Sequence, residues 1–104
     1  MGIIYLLVEN REEARYKIGI TKYNGKKRIK NLSTGNSDEI TVVAEFESRF
    51  NRRIETSLHN RYSTKRLKGE WFKLEKLDVY HFVYDCQALH DTFTFLEESD
   101  NPFI

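Results

Sequence analysis

Four side chains of complementary chemical types stand in order along the first 55 residues of this sequence: Tyr5, Lys17, Arg28 and Glu55. Phosphodiester hydrolysis needs such a set, because a base must take a proton from water, cations must hold the phosphate, and a carboxylate must bind a hard divalent metal that stabilises the leaving oxygen. His59 lies one helical turn beyond Glu55 and is a further candidate. Each residue also has an ordinary interpretation, as strand packing, a solvated charge or a surface ion pair.

Two strands must position the first two of these residues. Ile3–Val8 and Arg15–Thr21 alternate in polarity and are joined by a polar stretch, which predicts a β-hairpin. The apolar sets of the two strands are Ile4, Leu6, Val8, Tyr16, Ile18 and Ile20. If these sets share the core side, Tyr5 and Lys17 emerge together on the other side of the sheet.

The remaining candidates fall in predicted helices. Asn24–Leu32 has helical composition and carries Arg28, and Ile40–Ser48 alternates as a third strand. Asn51 is the predicted N-cap of a helix that runs to about Tyr62 and carries Glu55 and His59.

The later part of the chain predicts a loop and one further helix. Thr64–Gly69 reads as a basic loop, and a short apolar segment follows it. Leu77–Glu98 carries apolar residues at three- and four-residue steps, which predicts one long amphipathic helix. Within that helix, His81 and His90 are interpreted as structural.

Length and composition limit the possible classes of protein. With 104 residues, of which 39% are hydrophobic and 13% aromatic, the chain suits one ordered domain spanning residues 1–104. Cys86 is the only cysteine, which excludes an intrachain disulfide and a multi-cysteine zinc site. The start does not resemble a secretory signal, and no segment approaches the ~20 apolar residues of a membrane span. We therefore expect a cytoplasmic protein.

Charge is unevenly divided although the formal net charge is only +1. Residues 11–31 and 49–73 each contain eight Lys or Arg against two acids, whereas residues 74–104 contain one Lys against seven acids. Two basic segments indicate a surface for a polyanion, although ordinary solvated faces are the alternative. The cations expected to grip phosphates, in the Lys26–Lys30 helix, the next helix and the basic loop, are Lys26, Lys27, Lys30, Arg52, Lys65, Arg66 and Lys68.

Several short motifs occur together in a specific order. Gly2–Tyr5 is followed by Tyr16–Thr21, then by Arg28, by Glu55-x-x-Leu58-His59 and by Gly69–Phe72. Over residues 2–75 this series resembles the GIY-YIG nuclease superfamily, and in particular its phage and bacterial branch of the T5 type (meiotically up-regulated gene 113-like).

The resemblance implies an α+β fold with a small three-stranded antiparallel sheet flanked by helices, here with an additional C-terminal helical extension over 76–104. It also implies one divalent metal, Mg²⁺ or Mn²⁺, bound by Glu55. Tyr5 matches the first signature tyrosine, a general base or water-orienting group. Arg28 matches the helical arginine that contacts the scissile phosphate.

The sequence departs from the family pattern at several positions. Lys17 stands where the second signature tyrosine is usual; it could lower the pKa of the tyrosine or the water, or contact the phosphate. The first motif carries an extra isoleucine, and no residue matches the late asparagine of the family. Glu70 is interpreted as structural or as support for the metal ligand, and Trp71 and Phe72 as core residues.

Two functions remain open on the sequence. The first is an endonuclease that hydrolyses nucleic acid, with DNA the expected substrate, either alone, as a homodimer or within a larger complex. The second is an inactive module on the same scaffold that binds nucleic acid or another protein. Intact Tyr5, Arg28 and Glu55 favour the first.

Overall fold

The computed structural model describes residues 2–22 and 40–99, which form an antiparallel sheet with helices packed against it. The sheet contains β1 (Gly2–Glu9), β2 (Arg15–Thr21), β3 (Ile40–Ser48), β4 (Arg66–Lys68) and β5 (Trp71–Phe72), in the order β3-β1-β2-β5-β4. The predicted α+β class and the three predicted strands are confirmed. The short strands β4 and β5 extend the expected three-stranded sheet to five.

Three helices follow the long strands in sequence: α1 (Asn51–Arg61), α2 (Lys76–Tyr80) and α3 (Phe82–Glu98). The apolar residues of α1 recur every four positions, so that Ile54, Leu58 and then Tyr62 point at the sheet. They meet the alternate residues of the hairpin, and α3 adds Phe82 and Cys86. One side of the sheet is thereby sealed by helices. The buried members of this core are Ile4, Leu6, Ile18, Phe50, Ile54, Leu58, Tyr62, Phe72, Leu74, Phe82 and Cys86.

The inner strand β1, which lies between β3 and β2, is buried on both of its faces. Ile4 and Leu6 face the helical core, while Tyr5 and Leu7 point the other way and are also almost inaccessible to solvent. A bulge between Leu6 and Leu7 shifts the pairing of β1 with β3. Tyr5 therefore does not project freely from the sheet, which limits how it can meet a substrate.

The prediction of a basic loop over Thr64–Gly69 is wrong in part, because this segment contains regular secondary structure. A 3₁₀ turn covers Ser63–Lys65, and β4 then pairs with β5 in a tight hairpin. Gly69 lies between the two strands with φ of 58°, a conformation that glycine adopts without steric cost. The segment is thus an edge of the sheet.

The predicted single helix over Leu77–Glu98 is interrupted at His81, which has φ −89° and ψ 0°. Leu77 and Tyr80 are exposed, and Val79 is the apolar residue of α2 that packs against the core to which Phe82 belongs. The short helix α2 is also fixed through Asp78, whose carboxylate accepts hydrogen bonds from the Glu75 backbone at 2.9 Å and from Lys65 at 2.6 Å.

The predicted N-cap of the first helix is also displaced. Asn51 is the first helical residue, and Phe50 occupies the N-cap position without a side-chain cap. The buried hydroxyl of Ser48 organises this entry by accepting a hydrogen bond from the Phe50 N–H at 2.9 Å. Since that oxygen then has its hydrogen available, it can donate to His90 Nδ1 at 2.7 Å, which ties α3 to the end of β3. Across residues 2–22 and 40–99, no helix is long and apolar enough to cross a bilayer.

Truncation of Leu58 should test the contact between α1 and the sheet. Leu58 is fully buried, so Leu58→Ala is expected to lower the free energy of unfolding by about 2–5 kcal/mol. The control Leu77→Ala removes a side chain that is 69% exposed and should change stability by less than about 0.5 kcal/mol. Urea denaturation followed by circular dichroism measures both. Equal effects would contradict this assignment of the core.

Candidate active site

The hairpin register brings Tyr5 and Lys17 to one face of the sheet, as the alternation predicted. Tyr5 pairs with Gly19 and Leu7 pairs with Lys17, and residues directly opposite each other in an antiparallel pair share a face. Tyr5 and Lys17 are thus diagonal neighbours, a relation that typically separates side chains by about 7–8 Å at their bases.

Gly19 is required by the close approach of the Tyr5 ring. A β-carbon built on Gly19 would lie 2.3 Å from the Tyr5 hydroxyl oxygen and 2.5 Å from Cζ. Because Tyr5 is buried, its ring has little freedom to move aside. The glycine of the second motif therefore creates the space that the tyrosine of the first motif fills.

Helix α1 is attached to the sheet at the point where β5 stops pairing with β2. The Ile18 N–H still donates to the Glu70 carbonyl at 3.3 Å. The Ile18 carbonyl is bound by His59 Nε2 at 2.9 Å. A carbonyl can only accept, so Nε2 carries the hydrogen, and Nδ1 is the nitrogen that can take a proton in the neutral ring. The candidate His59 is thus fixed in orientation.

Glu55 lies one turn before His59 and is half-buried. One of its oxygens, Oε2, is buried without a hydrogen-bond partner among the described residues. Burial and the nearby negative charge of Glu70 raise the pKa of Glu55, while His59, Arg52 and Lys17 act in the opposite direction. A buried anionic oxygen without a partner is costly, and a cation is the group that would best satisfy it.

Lys17 is held between an acid and an aromatic ring. Its Nζ lies 3.5 Å from Glu70 Oε2 and 5.9 Å from the centre of the Trp71 ring. The Lys17 side chain is only 14% exposed, whereas that of Glu70 is 43% exposed. Glu70 therefore both fixes the lysine and adds negative charge beside Glu55, a role that the sequence had left undecided.

Trp71 is not a member of the helical core, contrary to the sequence interpretation. Phe72 pairs with Tyr16 and is fully buried among the core residues, as expected. Trp71 pairs with Lys17, so strand alternation turns it to the opposite face, where it is half-buried. Its position follows from the β2–β5 pairing, which the short apolar segment did not reveal in the sequence.

The cations predicted to hold phosphate have different surroundings. Arg28, Lys26, Lys27 and Lys30 lie outside the described residues. Arg52, in the first turn of α1, is exposed and lines a groove of about 640 Å³ with Gly2, Ile20, Thr21, Lys22 and Asn51.

The cations near β4 also differ in how far other groups of the protein already engage them. Lys65 is engaged by Asp78 at 2.6 Å and Glu75 at 3.7 Å, so its charge links the 3₁₀ turn to α2. Arg66 Nε donates to the Gly69 carbonyl, which braces the turn. Lys68 is exposed and pairs across the strands with Trp71. Of these cations, Lys68 is the most available to a ligand on the Tyr5 face.

The donor set suits a metal held by one protein carboxylate. Among residues 2–22 and 40–99, no group of three or more His, Cys, Asp or Glu could hold a metal ion. Mg²⁺ is commonly bound through one or two carboxylates with water and substrate oxygens completing its shell. The unpartnered oxygen of Glu55 fits that mode of binding.

Comparison with known proteins identifies the family. The model of the T5orf172 domain matches residues 2–87. The chain belongs to the T5orf172 domain family. This domain is found in phage and bacterial nuclease-like proteins. The match continues past residue 75 into α3, so part of the expected C-terminal extension belongs to the family domain. No curated protein and no solved structure matches the chain.

A double-mutant cycle tests the contact between Gly19 and Tyr5. Gly19→Ala should destabilise the protein by about 1–3 kcal/mol, because the new methyl group overlaps a buried ring. In a Tyr5→Ala background the same change should cost little, which gives a coupling energy above about 1 kcal/mol. Chemical denaturation of the four proteins measures it. Additive effects would show that the ring does not require Gly19.

Because its pKa is raised, ionised Glu55 is expected to lower the stability of the folded protein. The folded protein holds the proton more tightly than the unfolded chain, so stability falls as the pH rises from the ordinary value of 4.5 through the raised pKa. Glu55→Gln should therefore raise the melting temperature at neutral pH, and this gain should vanish well below pH 4.5. Thermal unfolding across pH measures both effects.

The matched control for this measurement is Glu98→Gln, which makes the same change at an exposed carboxylate and should leave the melting temperature unchanged. Addition of Mg²⁺ should stabilise the wild-type protein and not the Glu55→Gln variant. A Glu55→Gln variant that is less stable than wild type at neutral pH would mean that attraction by Lys17, Arg52 and His59 outweighs burial.

Proposed function

We propose that this chain is a metal-dependent endonuclease of the GIY-YIG type that hydrolyses phosphodiester bonds, with DNA as the favoured substrate. The observation that carries the proposal is the buried Glu55 oxygen, which has no hydrogen-bond partner among residues 2–22 and 40–99. It lies one helical turn from an oriented His59 and within electrostatic reach of Lys17. Membership of a family found in nuclease-like proteins supports the same reaction class.

Glu55 would hold the divalent cation, Mg²⁺ or Mn²⁺, which would supply positive charge to the phosphate and the leaving oxygen. The half-buried setting of this carboxylate strengthens such an interaction relative to bulk water. Glu70, which raises the pKa of Glu55, increases the negative charge available to a cation at the same place.

Residues around Glu55 can accept the proton that hydrolysis releases and can contact the phosphate. In hydrolysis a water oxygen forms a bond to phosphorus, the bond from phosphorus to the leaving oxygen breaks, and the water gives up a proton. His59 Nδ1 can accept that proton, because Nε2 is committed to the Ile18 carbonyl. The Tyr5 hydroxyl would orient the water, a role that rests on the family resemblance. The leaving oxygen regains a proton from solvent.

Lys17 and Arg28 would act on the phosphate. The ammonium of Lys17 is held by Glu70 on the same sheet face as Tyr5, so a phosphate oxygen could share it. Arg28 lies outside the described residues, and its assignment to the scissile phosphate rests on the family resemblance. Together these cations would balance the charge that develops in the transition state.

Cleavage of labelled single- and double-stranded DNA and RNA tests the proposal. Wild-type protein should cut at least one substrate with Mg²⁺ or Mn²⁺ and none with EDTA. Glu55→Gln should lose about 10²-fold or more of this activity, and Arg28→Ala should lose a similar factor. Glu98→Gln should cut as wild type does.

Two outcomes would contradict the proposal that the protein is a nuclease. The first is failure to cut any of these substrates under every metal condition. The second is nucleic-acid binding that is unchanged by EDTA and by Glu55→Gln with no cleavage, which is the behaviour of a binding module on the same scaffold.

A further inference from the structure

Three side chains form a row across the sheet on the face that carries Tyr5. Lys17 of β2 pairs with Trp71 of β5, and Trp71 pairs with Lys68 of β4. Paired residues in antiparallel strands share a face, so an aromatic ring lies between two lysines. Tyr5 lies on this face as the diagonal neighbour of Lys17.

The Trp71 ring is further covered by an arginine that is itself held in place. The guanidinium carbon of Arg15 lies over the ring at 5.0 Å from its centre. Arg15 also donates to Glu9 Oε2 at 2.8 Å, and the Glu9 residue is only 9% exposed. The Arg15 side chain remains 32% exposed. Arg15 and Trp71 therefore form a fixed pair of a cation and an aromatic ring that reaches solvent.

The burial of an apolar side chain does not by itself explain why a tryptophan occupies position 71. Its neighbour Phe72 is fully buried in the core, whereas Trp71 is turned to the opposite face and remains half-buried among cations. An indole ring and a guanidinium plane between lysines are the groups that proteins use to stack an unpaired base while binding its phosphates. Bases inside a duplex already stack on their neighbours and cannot lie on such a surface.

We propose that Trp71 and Arg15 form a stacking platform for an unpaired nucleobase, flanked by Lys17 and Lys68 as phosphate contacts. This inference rests on the proposed nuclease function and adds its substrate class: a single-stranded or locally unpaired segment next to the cleaved bond. Lys17 joins the platform to the site, since it contacts Trp71 on one side and Glu70, beside Glu55, on the other.

Trp71 is the only tryptophan in the chain, so its intrinsic fluorescence reports on this position alone. The Glu55→Gln variant in EDTA would be titrated with a short oligothymidine, with the same backbone lacking its bases, and with a blunt duplex. The oligothymidine should quench the fluorescence at saturation, and neither the abasic strand nor the duplex should. Oligouridine provides the RNA arm of the same titration.

Binding affinities of variants provide the second measurement, by anisotropy of the labelled strands. Trp71→Leu should weaken binding of oligothymidine about tenfold and leave binding of the abasic strand unchanged, because only the stacked base is lost. Trp71→Phe should retain most of the affinity. Tyr80→Leu, at an aromatic residue that is 87% exposed on α2, is the matched control and should bind as the parent does.

The proposal is overturned if oligothymidine binds without quenching, if Trp71→Leu weakens the abasic and base-containing strands equally, or if no strand binds. These results are separable from the test of cleavage. A protein that cuts in a Glu55-dependent manner but shows no quenching would keep the nuclease and lose the platform. Quenching in a protein that cuts nothing would keep the base-stacking platform and remove the nuclease.

Discussion

The arrangement of the site depends on how the Ile18 backbone is satisfied. Its N–H is paired with the Glu70 carbonyl, but its carbonyl is bound by a side chain, His59. This bond attaches α1 to the sheet opposite Glu70, just before β5 begins. Glu55 lies one turn earlier on the same helix, and the charges of Glu70 and Lys17 act on its pKa. Where β5 no longer pairs with β2, residues of α1 and residues of the sheet therefore come into contact.

A second constraint acts across the hairpin. The Tyr5 ring lies over Gly19, so the two halves of the hairpin motif are complementary in shape as well as in hydrogen bonding. Lys17 is the next residue of β2 on the same face, and it inherits its position from that register. A shift of the hairpin register by one residue would pair Tyr5 with Ile18 or Ile20 and would place Tyr5 and Lys17 on opposite faces of the sheet. The site therefore depends on the same register that forms the core.

The sequence was a good guide where a regular period repeats over several residues. Alternation in the hairpin predicted the face shared by Tyr5 and Lys17, and the four-residue spacing in α1 predicted its buried side. The prediction failed where structure depends on residues distant in sequence. Trp71 and Phe72 form a segment too short for a period, and only pairing with β2 decides that Trp71 lies outside the core. The short helix before His81 is likewise held by the bond between Asp78 and Lys65, which lie 13 residues apart in the sequence.

The environment of Glu55 is not the one that would make the folded protein most stable. A neutral side chain would avoid the cost of desolvation and the repulsion from Glu70, yet it would bind a cation weakly. Positive charge on Lys17 and Arg52 reduces that cost, and no described residue supplies a hydrogen-bond partner to Oε2. Complete neutralisation by a close arginine would stabilise the carboxylate, but it would also compete with a metal for the same oxygens. The incomplete compensation of Glu55 is therefore what a carboxylate needs if it is to be folded and still bind a cation.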